Sequence, residues 1–543
     1  MKPKLLLAIL CLLLISGLSC SKCEKGGAST MAGLIPGDVA GVLIFPDLSR
    51  TITDADVLIK KLSVGPVSSF VSQGKIELAR LLGFDPFVVK DWNKIGVDPG
   101  KGLAVVLDPA RMIVVLGVSD QKAFEAEIKK RMQDLVAADQ VSTEKHGGVS
   151  ITSVGTRIGD RTVPRLQYAF KGGYALMTAP GAGPGVLQTC ATQNADQSLA
   201  GAGWFTKLSG KMPKNADVML LVNGSRAEAL LKPTDPELAA NLKEGLVVAF
   251  DLAKDGLSLD SFLGLDAEAA KKISGFTTGV ADAHLEKLLP DDTFAALKLR
   301  INTDKLLEMV FEQDPQAKAE FDQMLNQAKE AVGKDVQAGT VQNLSGNAVM
   351  GLSLGKPEQI NRLVADQGEG DIGSAFRLLI WVQLKDGAAW AQIIDQALAT
   401  AGEQLPASRS KSGRLQVLTF PAQHGVEFHI FYDQDLVGMC AGNQCTQVAA
   451  GMLEKKSPAL PSKLSAEAGK LFAAESLLVG YLNFGQVLDA VSALDASAMG
   501  EGGMMVKMIL DMAVGVVKNL KELTVVVRTL PDGMAFVGHL HIQ

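Results

Sequence analysis

The feature that most constrains the fold of this chain is a hairpin-like segment that occurs twice. Residues 241–244 (NLKE) precede a β-rich run, an Asp-Gly pair at 255–256 and a second β-rich run. The same tetrapeptide stands at 519–522, again before a β-rich run, an Asp-Gly pair at 532–533 and a final β-rich run. Because Asp-Gly supplies the positive φ angles of a tight turn, both segments are typical of β-hairpins. Their recurrence predicts an internal duplication.

Weaker matches keep the same order along both halves of the chain. Both halves contain an Ile/Leu-Pro-x-Asp segment before a strand, a Gly-x-Ala-Val strand, and an Asp that follows a strand and opens a helix. The matched pairs are residues 35–38 and 289–292, residues 102–105 and 346–349, and Asp120 and Asp386. They predict two tandem homologous units, residues 34–266 and 285–543, joined by a helical linker over 267–284.

The order of strand and helix patterns indicates the fold class. Each unit is predicted to run β-α-β-β-α-β-β-α-β-α-β-β, with recurring hairpins and no steady alternation of strand and helix. This order argues against a doubly wound parallel sheet. We therefore predict the α+β class, with each unit formed by a mostly antiparallel sheet and helices packed on it. Residues 406–413 (PASRSKSG) have the composition of a loop.

The first 19 residues have the order of a secretory signal peptide, in which basic residues, an apolar run and small residues succeed one another. The segment before Cys20 resembles the lipobox of bacterial lipoproteins, although Gly17 stands where that pattern favours Leu. The resemblance implies that Cys20 is acylated on its sulfur and that residues 20–33 tether the body to the membrane. The serine after Cys20 favours the outer membrane, on its periplasmic or cell-surface face. An ordinary signal peptide with an unrelated cysteine is the alternative.

Composition excludes some classes of partner. The chain has 543 residues, with 53 Lys and Arg against 59 Asp and Glu and a net charge of -6. A nucleic-acid partner is not expected, because phosphate binding needs a concentrated basic face. Hydrophobic residues make up 47% of the chain but aromatic residues only 5%. Few stacking platforms are then available for sugars or single-stranded nucleic acids, and aliphatic surfaces suit lipid or protein better.

Residue types that carry chemistry are sparse and scattered. Cys440 and Cys445 flank a turn, where a disulfide and two separate buried thiols are equally consistent with the sequence. His539 and His541 share one face of a strand, and a solvent-facing edge strand is a better interpretation than a metal site. Nucleophile-elbow, zinc-protease and phosphate-loop motifs are absent from the sequence. We therefore predict no catalytic residues, no metal and no cofactor.

A methionine-rich segment near the C-terminus suggests a hydrophobic contact. Met504, Met508 and Met512 are spaced to form one stripe on a helix. Methionine side chains adapt to hydrophobic grooves, which makes this stripe a candidate binding surface. Ordinary core packing against the final hairpin is the more frequent explanation of such a stripe.

The exported start, the paired Ile/Leu-Pro-x-Asp strands and the Gly-x-Ala-Val strands together resemble a bacterial extracytoplasmic lipoprotein-like family of unknown function with duplicated α+β units. The resemblance implies fold and location and brings no site residues. We predict a non-enzymatic, lipid-anchored envelope protein that acts as an interaction or structural module with an envelope protein partner. The alternative is a periplasmic carrier for a hydrophobic, lipid-like ligand. An enzyme with a site of dispersed carboxylates is the third hypothesis.

Overall fold

A computed structural model gives the fold of the chain. It describes residues 27–62, 67–108, 110–136, 140–158, 161–178, 182–183, 185–231, 242–253, 255–281, 283–332, 336–365, 372–401, 407–423, 426–442, 444–495 and 503–543. The chain divides into two compact units. The first unit extends to residue 268 and includes 532–537 and 542–543, and the second unit comprises 269–531 and 538–541.

The first unit is built on an antiparallel sheet. Its described strands are β1 (Gly41–Phe45), β2 (Leu103–Val106), β3 (Ile113–Gly117), β4 (Gln140–His146), β5 (Val149–Ile158), β6 (Arg161–Lys171), β7 (Tyr174–Thr178), β8 (Val218–Val222), β9 (Gly245–Ala253) and β10 (Gly256–Gly264). Their order across the sheet is β4-β5-β6-β7-β3-β2-β1-β8-β9-β10. The central strand β1 has the sequence GVLIF and is buried throughout. A continuous apolar run is expected where both faces of a strand are covered.

Helices cover this sheet. They are α1 (Gly27–Ala32), α2 (Leu48–Leu62), α3 (Val67–Leu82), α4 (Val89–Lys94), α5 (Gln121–Val136), α6 (Val186–Thr192), α7 (Gly203–Ser209) and α8 (Ala227–Leu231). Asp47 accepts the backbone N–H of Arg50 at 2.9 Å at the start of α2, as an N-terminal cap does. Leu48 and Ile52 of α2 and Phe124 of α5 are buried in one cluster with residues of the sheet. The helices thus close one face of the first unit.

The second unit is built on another antiparallel sheet. Its described strands are β11 (Thr293–Arg300), β12 (Leu344–Leu354), β13 (Phe376–Leu384), β14 (Ser408–Ser412), β15 (Leu415–Gln423), β16 (Val426–Tyr432), β17 (Leu436–Ala441), β18 (Leu478–Asn483), β19 (Leu520–Leu530) and β20 (Gly533–Ile542), of which residues 538–541 belong to this unit. The order is β14-β15-β16-β17-β13-β12-β11-β18-β19-β20. Strand for strand, this is the order found in the first unit.

The remaining helices are α9 (Ala267–Ser274), α10 (Thr303–Gln313), α11 (Pro315–Val332), α12 (Val336–Gly339), α13 (Pro357–Ala365), α14 (Ile372–Ala375), α15 (Gly387–Ala401), α16 (Cys445–Leu453), α17 (Ala466–Ala473), α18 (Phe484–Ser492) and α19 (Gly503–Val517). The core of the second unit contains the rings of Trp381 and Phe431, whose centroids are 4.6 Å apart. Both rings are fully buried. They lie on one face of the sheet, because residues opposite each other on paired strands share a face.

Several sequence predictions can be compared with these elements. The α+β class and the antiparallel pairing are confirmed, including the hairpin of β9 and β10. The predicted loop over 406–413 is wrong in part, because residues 408–412 form the edge strand β14. The predicted order has eight strands in each unit and lacks β4, β5, β14 and β15, and within the predicted helical linker residues 267–274 form the helix α9. Polar edge strands such as β14 carry little hydrophobic signal.

Two local features occur at the same place in both units. Asp120 accepts the backbone N–H of Ala123 at 3.1 Å, and Asp386 accepts that of Ala389 at 3.1 Å. Each therefore caps the helix that follows the third strand of its unit, as predicted. Gly102 and Gly346, which precede or lie within the second strand, have φ angles of 85° and 87°. Side chains rarely adopt this conformation, so glycine is required at both positions.

Candidate functional site

The cysteines singled out in the sequence have different outcomes. Cys20, the predicted lipid-attachment residue, lies outside the described residues, as do the signal peptide and residues 20–26 of the tether. Cys440 at the end of β17 and Cys445 at the start of α16 are joined by a disulfide, with their Cα atoms 5.9 Å apart. The disulfide ties a strand to the helix that covers the buried face of the same sheet.

The methionine stripe lies on α19 and does not pack into a core. The side chain of Met504 is 82% exposed and that of Met508 is also exposed. The side chain of Met512 lies outside the description. The expectation of core packing is therefore wrong for Met504 and Met508. Helical spacing indicates that a helix has an apolar face but not what covers that face.

One face of the sheet of the second unit is an apolar surface that helices cover only in part. A row of residues lies directly opposite one another across seven strands of this face: Val525, Gly480, Leu297, Met350, Ile380, Met439 and Ile430. We call these seven residues the open row. Met350, Met439 and Val525 are 36–38% exposed, and none of the seven is buried. This apolar face is therefore partly open to solvent.

The corresponding row of the first unit is closed. It consists of Val248, Leu220, Leu43, Val105, Val114, Met177 and Tyr168, and we call it the closed row. Leu43, Val105 and Tyr168 are at most 9% exposed, and the other four residues are half-buried. Leu43 and Val105 belong to the same buried cluster as Ile52 of α2 and Phe124 of α5. The open row and the closed row lie at equivalent places in their sheets and thus have different environments.

The opposite face of the second sheet is buried and carries charge. Lys298 on β11 pairs with Glu286, with Nζ and Oε2 3.0 Å apart and both side chains 3% exposed. Arg300, two residues along the same strand, donates to Oδ1 of Asn347 at 3.3 Å. Charged groups are tolerated on the covered face because they are paired and hydrogen-bonded. The covered face thus combines an apolar core, which includes Trp381 and Phe431, with paired charges.

The helices near the open row do not close it. None of the residues of α10, α13 or α18 is buried, although α10 packs against β12 and α18 against β11 and β19. In the first unit, by contrast, α2 buries Leu48, Ile52 and Ala55. Amphipathic helices normally bury their apolar stripe against a core. Here the apolar stripes of three helices and an apolar sheet face all remain partly accessible.

One end of the same sheet face is filled by protein. Trp390 and Ile394 of α15 pack with Val382, Tyr432 and Val437. Beside this end lies a depression of about 630 Å³ lined by both polar and apolar residues. Several of its polar groups have partners within the protein: Arg414 lies 2.5 Å from a carboxylate oxygen of Asp433, and Nζ of Lys385 donates to the backbone oxygen of Gln342 at 2.7 Å.

Carboxylates gather in the first unit, as the third sequence hypothesis requires. Nε of Arg50 lies 2.9 Å from Oδ1 of Asp217 and its Nη2 lies 3.4 Å from Asp251. Asp54 is also buried, and among the described residues no hydrogen-bond partner reaches its Oδ2. Burial and the neighbouring Asp217 raise the pKa of Asp54 to about 8. Burial, opposed by Arg50, raises the pKa of Asp217 to about 7.

This carboxylate cluster can exchange protons but is closed to a substrate. Asp54 and Asp217 are each 2% exposed. The backbone N–H of Leu252 donates to Oδ2 of Asp217 at 3.0 Å, and Nδ2 of Asn215 donates to Asp251 at 2.7 Å. Structural partners thus hold two of the three carboxylates. In a general acid or base, by contrast, the proton must be within reach of the substrate.

Other functional classes find little support in the described part of the chain. There, no group of three His, Cys, Asp or Glu side chains is arranged as metal ligands. No described helix has both the length and the apolar composition needed to cross a membrane. His539 was expected to face solvent, but it is buried. That expectation is wrong for His539, because an edge position leaves the backbone groups of a strand unpaired but does not decide whether its faces are covered.

Comparisons of the chain with protein-family models, with curated proteins and with solved structures found no match. The resemblance to an extracytoplasmic lipoprotein-like family therefore stays a prediction. The proposed function therefore rests on the geometry of the open row.

The residues of the open row were not singled out from the sequence. Leu297, Met350 and Met439 alternate with buried residues along their strands. In the sequence, these apolar residues look the same as those of a sheet whose two faces are both covered. The one available signal was the presence of Lys298 and Arg300 at the alternate positions of β11. Charged residues on one face of a strand indicate that this face is unusual. They do not indicate that the opposite, apolar face is the one open to solvent.

Proposed function

We propose that this protein is a non-enzymatic binding protein for a hydrophobic ligand with an alkyl chain, held against the open row of the second unit. The observation that carries the proposal is the exposure of Met350, Met439 and Val525 on a sheet face where the helices α10 and α18 have no buried residue. Water contact with such a surface is unfavourable by about 25 cal/mol per Å² of apolar area. A bound alkyl chain would remove that cost.

The composition of the open row favours an alkyl chain over other hydrophobic ligands. The row contains only aliphatic residues, methionine and one glycine, and extends across seven strands. At about 4.8 Å between strands, the row is about 29 Å long. Methionine side chains adapt to ligands of different shape. Each methylene group that leaves water contributes about 0.8 kcal/mol, so affinity should rise with chain length.

The proposed location is the bacterial envelope. The support is the signal-like start of the sequence and the lipobox-like segment that ends at Cys20. Several acyl chains would hold the protein at a membrane where one alone would be marginal. The prediction of an interaction or structural module is compatible with this location. Recovery of a protein partner by cross-linking of intact envelopes would support it.

We also propose that the two units are homologous copies that arose by duplication. The support is the identical strand order and the paired positions of Asp120 with Asp386 and of Gly102 with Gly346. Their sequences match only in short segments. In this proposal one copy kept a closed core and the other acquired a ligand site.

Native mass spectrometry tests the ligand site. The full chain is purified in detergent, incubated with palmitic acid as the probe, and freed of detergent in the instrument. We expect a non-covalent palmitate adduct on the wild-type protein that is lost in Met350→Glu, because a carboxylate in the open row would have to be desolvated. The matched control is Ile76→Glu on α3, which also replaces an exposed apolar residue.

The control variant should keep the adduct. Circular dichroism of Met350→Glu checks that its fold is unchanged. An adduct of equal abundance in Met350→Glu, or no adduct on the wild-type protein with excess palmitic acid, would refute the proposed site.

A further inference from the structure

Helix α19 presents a wide apolar surface that no described residue of the second unit covers. Met504, Met505, Val506, Met508 and Ile509 are all exposed. At 100° per residue their side chains span an arc of about 200° around the helix axis. The helix has 15 residues and is therefore about 22 Å long. Isolated exposed apolar residues are common, but a continuous apolar face of this size marks a contact surface.

The lysine of α19 is turned toward the protein. Lys507 and Asp511 form an ion pair with each other, and Nζ of Lys507 also donates to the backbone oxygen of Ser492 in α18 at 3.0 Å. Both side chains lie outside the apolar arc, on the side that holds the helix to α18. The arc itself thus carries no charge, and the charges of the helix neutralise each other.

We infer that α19 docks on the surface of a lipid bilayer, with its apolar arc in the headgroup and acyl-chain boundary. An uncharged arc matches hydrocarbon, whereas the anchors of protein interfaces are typically Trp, Tyr and Arg, and α19 contains none of these. The 26 residues that precede the described chain carry the proposed lipid anchor at Cys20. The inference rests on that proposed location for its choice of partner, and it stands without the ligand site.

The geometry fits a helix that lies in the membrane interface. Such helices bury their apolar side by about 5–10 Å and keep their polar side toward water or protein. A helix of about 22 Å is too short to span a hydrocarbon core of about 30 Å. Because α18 packs against β11 and β19, the docked helix would be joined directly to an element beside the open row. A bilayer is also a source of the alkyl-chain ligand proposed above.

Fluorescence quenching by lipids tests the docking. The full chain carries Cys23→Ser, and the free thiol of Cys190 is buried. Met505→Cys at the middle of the arc therefore provides the accessible labelling site. It is reconstituted into vesicles of phosphatidylethanolamine and phosphatidylglycerol that contain a spin-labelled lipid. The matched control is Ile76→Cys, since Ile76 is 60% exposed and Met505 is 66% exposed. Both receive the same environment-sensitive fluorophore.

We expect quenching at position 505 that exceeds quenching at position 76 by at least about threefold, because only the first label should reach the acyl-chain boundary. Equal quenching at the two positions would overturn the inference. So would a label at 505 that is already shielded from water without vesicles, since another protein surface would then cover the helix.

Separate readouts distinguish this inference from the other proposals. Flotation of the reconstituted chain with the vesicles reports the lipid anchor, independently of α19. The Met350→Glu variant, which should lack the palmitate adduct, is expected to show unchanged quenching at position 505. A failure of docking with the adduct intact would therefore be distinguishable from a failure of the ligand site.

Discussion

The first unit covers the row of Leu43 and Val105 with buried residues of α2 and α5, whereas the second unit leaves the row of Leu297 and Met350 partly accessible. The strand order is the same in both. The difference therefore lies in the helices, and in how far their apolar stripes reach into the sheet. An antiparallel sheet with an apolar face can serve as a core or as a binding surface, depending on whether protein fills the space above it.

The opposite faces of the two sheets differ as well. Ile44 on β1 occupies the position in the first sheet that Lys298 on β11 occupies in the second sheet. Both residues are buried. The first unit therefore gains stability on both faces from apolar packing. The second unit keeps a paired charge on its covered face, and such pairs contribute little net stability. We expect the first unit to be the more stable of the two.

The largest expected effect concerns that buried charge. Lys298→Ile should lower the free energy of unfolding of the second unit by about 3 kcal/mol or more, because buried Glu286 would lose the Lys298 charge and keep only the contact of its Oε1 with His284. Lys298→Ile combined with Glu286→Leu should recover most of the loss. Hydrogen exchange in denaturant, read on peptides of each unit, measures both variants. A double variant as unstable as the single one would show that the pair is not what holds this face.

Matched leucines give the sharpest test of the two rows. Leu43→Ala should lower the free energy of unfolding of the first unit by about 3 kcal/mol, as expected for a fully packed leucine. Leu297→Ala should lower that of the second unit by about 1 kcal/mol, because a half-buried side chain loses fewer contacts. The same exchange measurement reports both variants. Equal losses would contradict the distinction between a closed and an open row.

The carboxylate cluster should make the first unit sensitive to pH. The raised pKa of Asp54, about 8, means that folding takes up a proton between about pH 4 and 8. The free energy of unfolding should therefore fall as the pH rises through this range. Asp54→Asn should remove part of this dependence and stabilise the first unit by about 2 kcal/mol at pH 9. A variant with an unchanged pH profile of unfolding would rule out Asp54 as the titrating group.

The smallest expected effect is on α19. Met508→Ser should change the free energy of unfolding by less than about 0.5 kcal/mol, because exposed side chains contribute little to stability. Met452→Ser, at a buried methionine of α16, should cost more than about 2 kcal/mol. Urea denaturation compares the two. A large loss in Met508→Ser would mean that α19 is packed rather than exposed.

The sequence predicted the parts of the fold that local chemistry determines. Asp-Gly turns, the helix caps at Asp120 and Asp386, and the α+β class all follow from short-range preferences. The edge strand β14 was missed because its sequence SRSKS has no apolar face. Polar edges of this kind protect a sheet from further pairing and look like loops in a sequence.

The candidate site depends on tertiary packing and could not be predicted in the same way. Leu43 and Leu297 have the same residue type and matching positions in their sheets, yet only one of them is buried. The alternation of residues along a strand does not determine which helix packs on the sheet, or how closely it packs. For the same reason Met504 and Met508 were expected in a core and lie on the surface.

Photo-cross-linking with a fatty acid tests the central claim that the second unit alone offers an alkyl-chain site. The wild-type chain is irradiated with a diazirine-bearing palmitic acid, and modified peptides are identified by mass spectrometry. The account predicts cross-links on peptides that contain Met350, Met439 or Val525, and none on those that contain Leu43 or Val105. Equal modification of the two rows, or modification of the closed row alone, would contradict it.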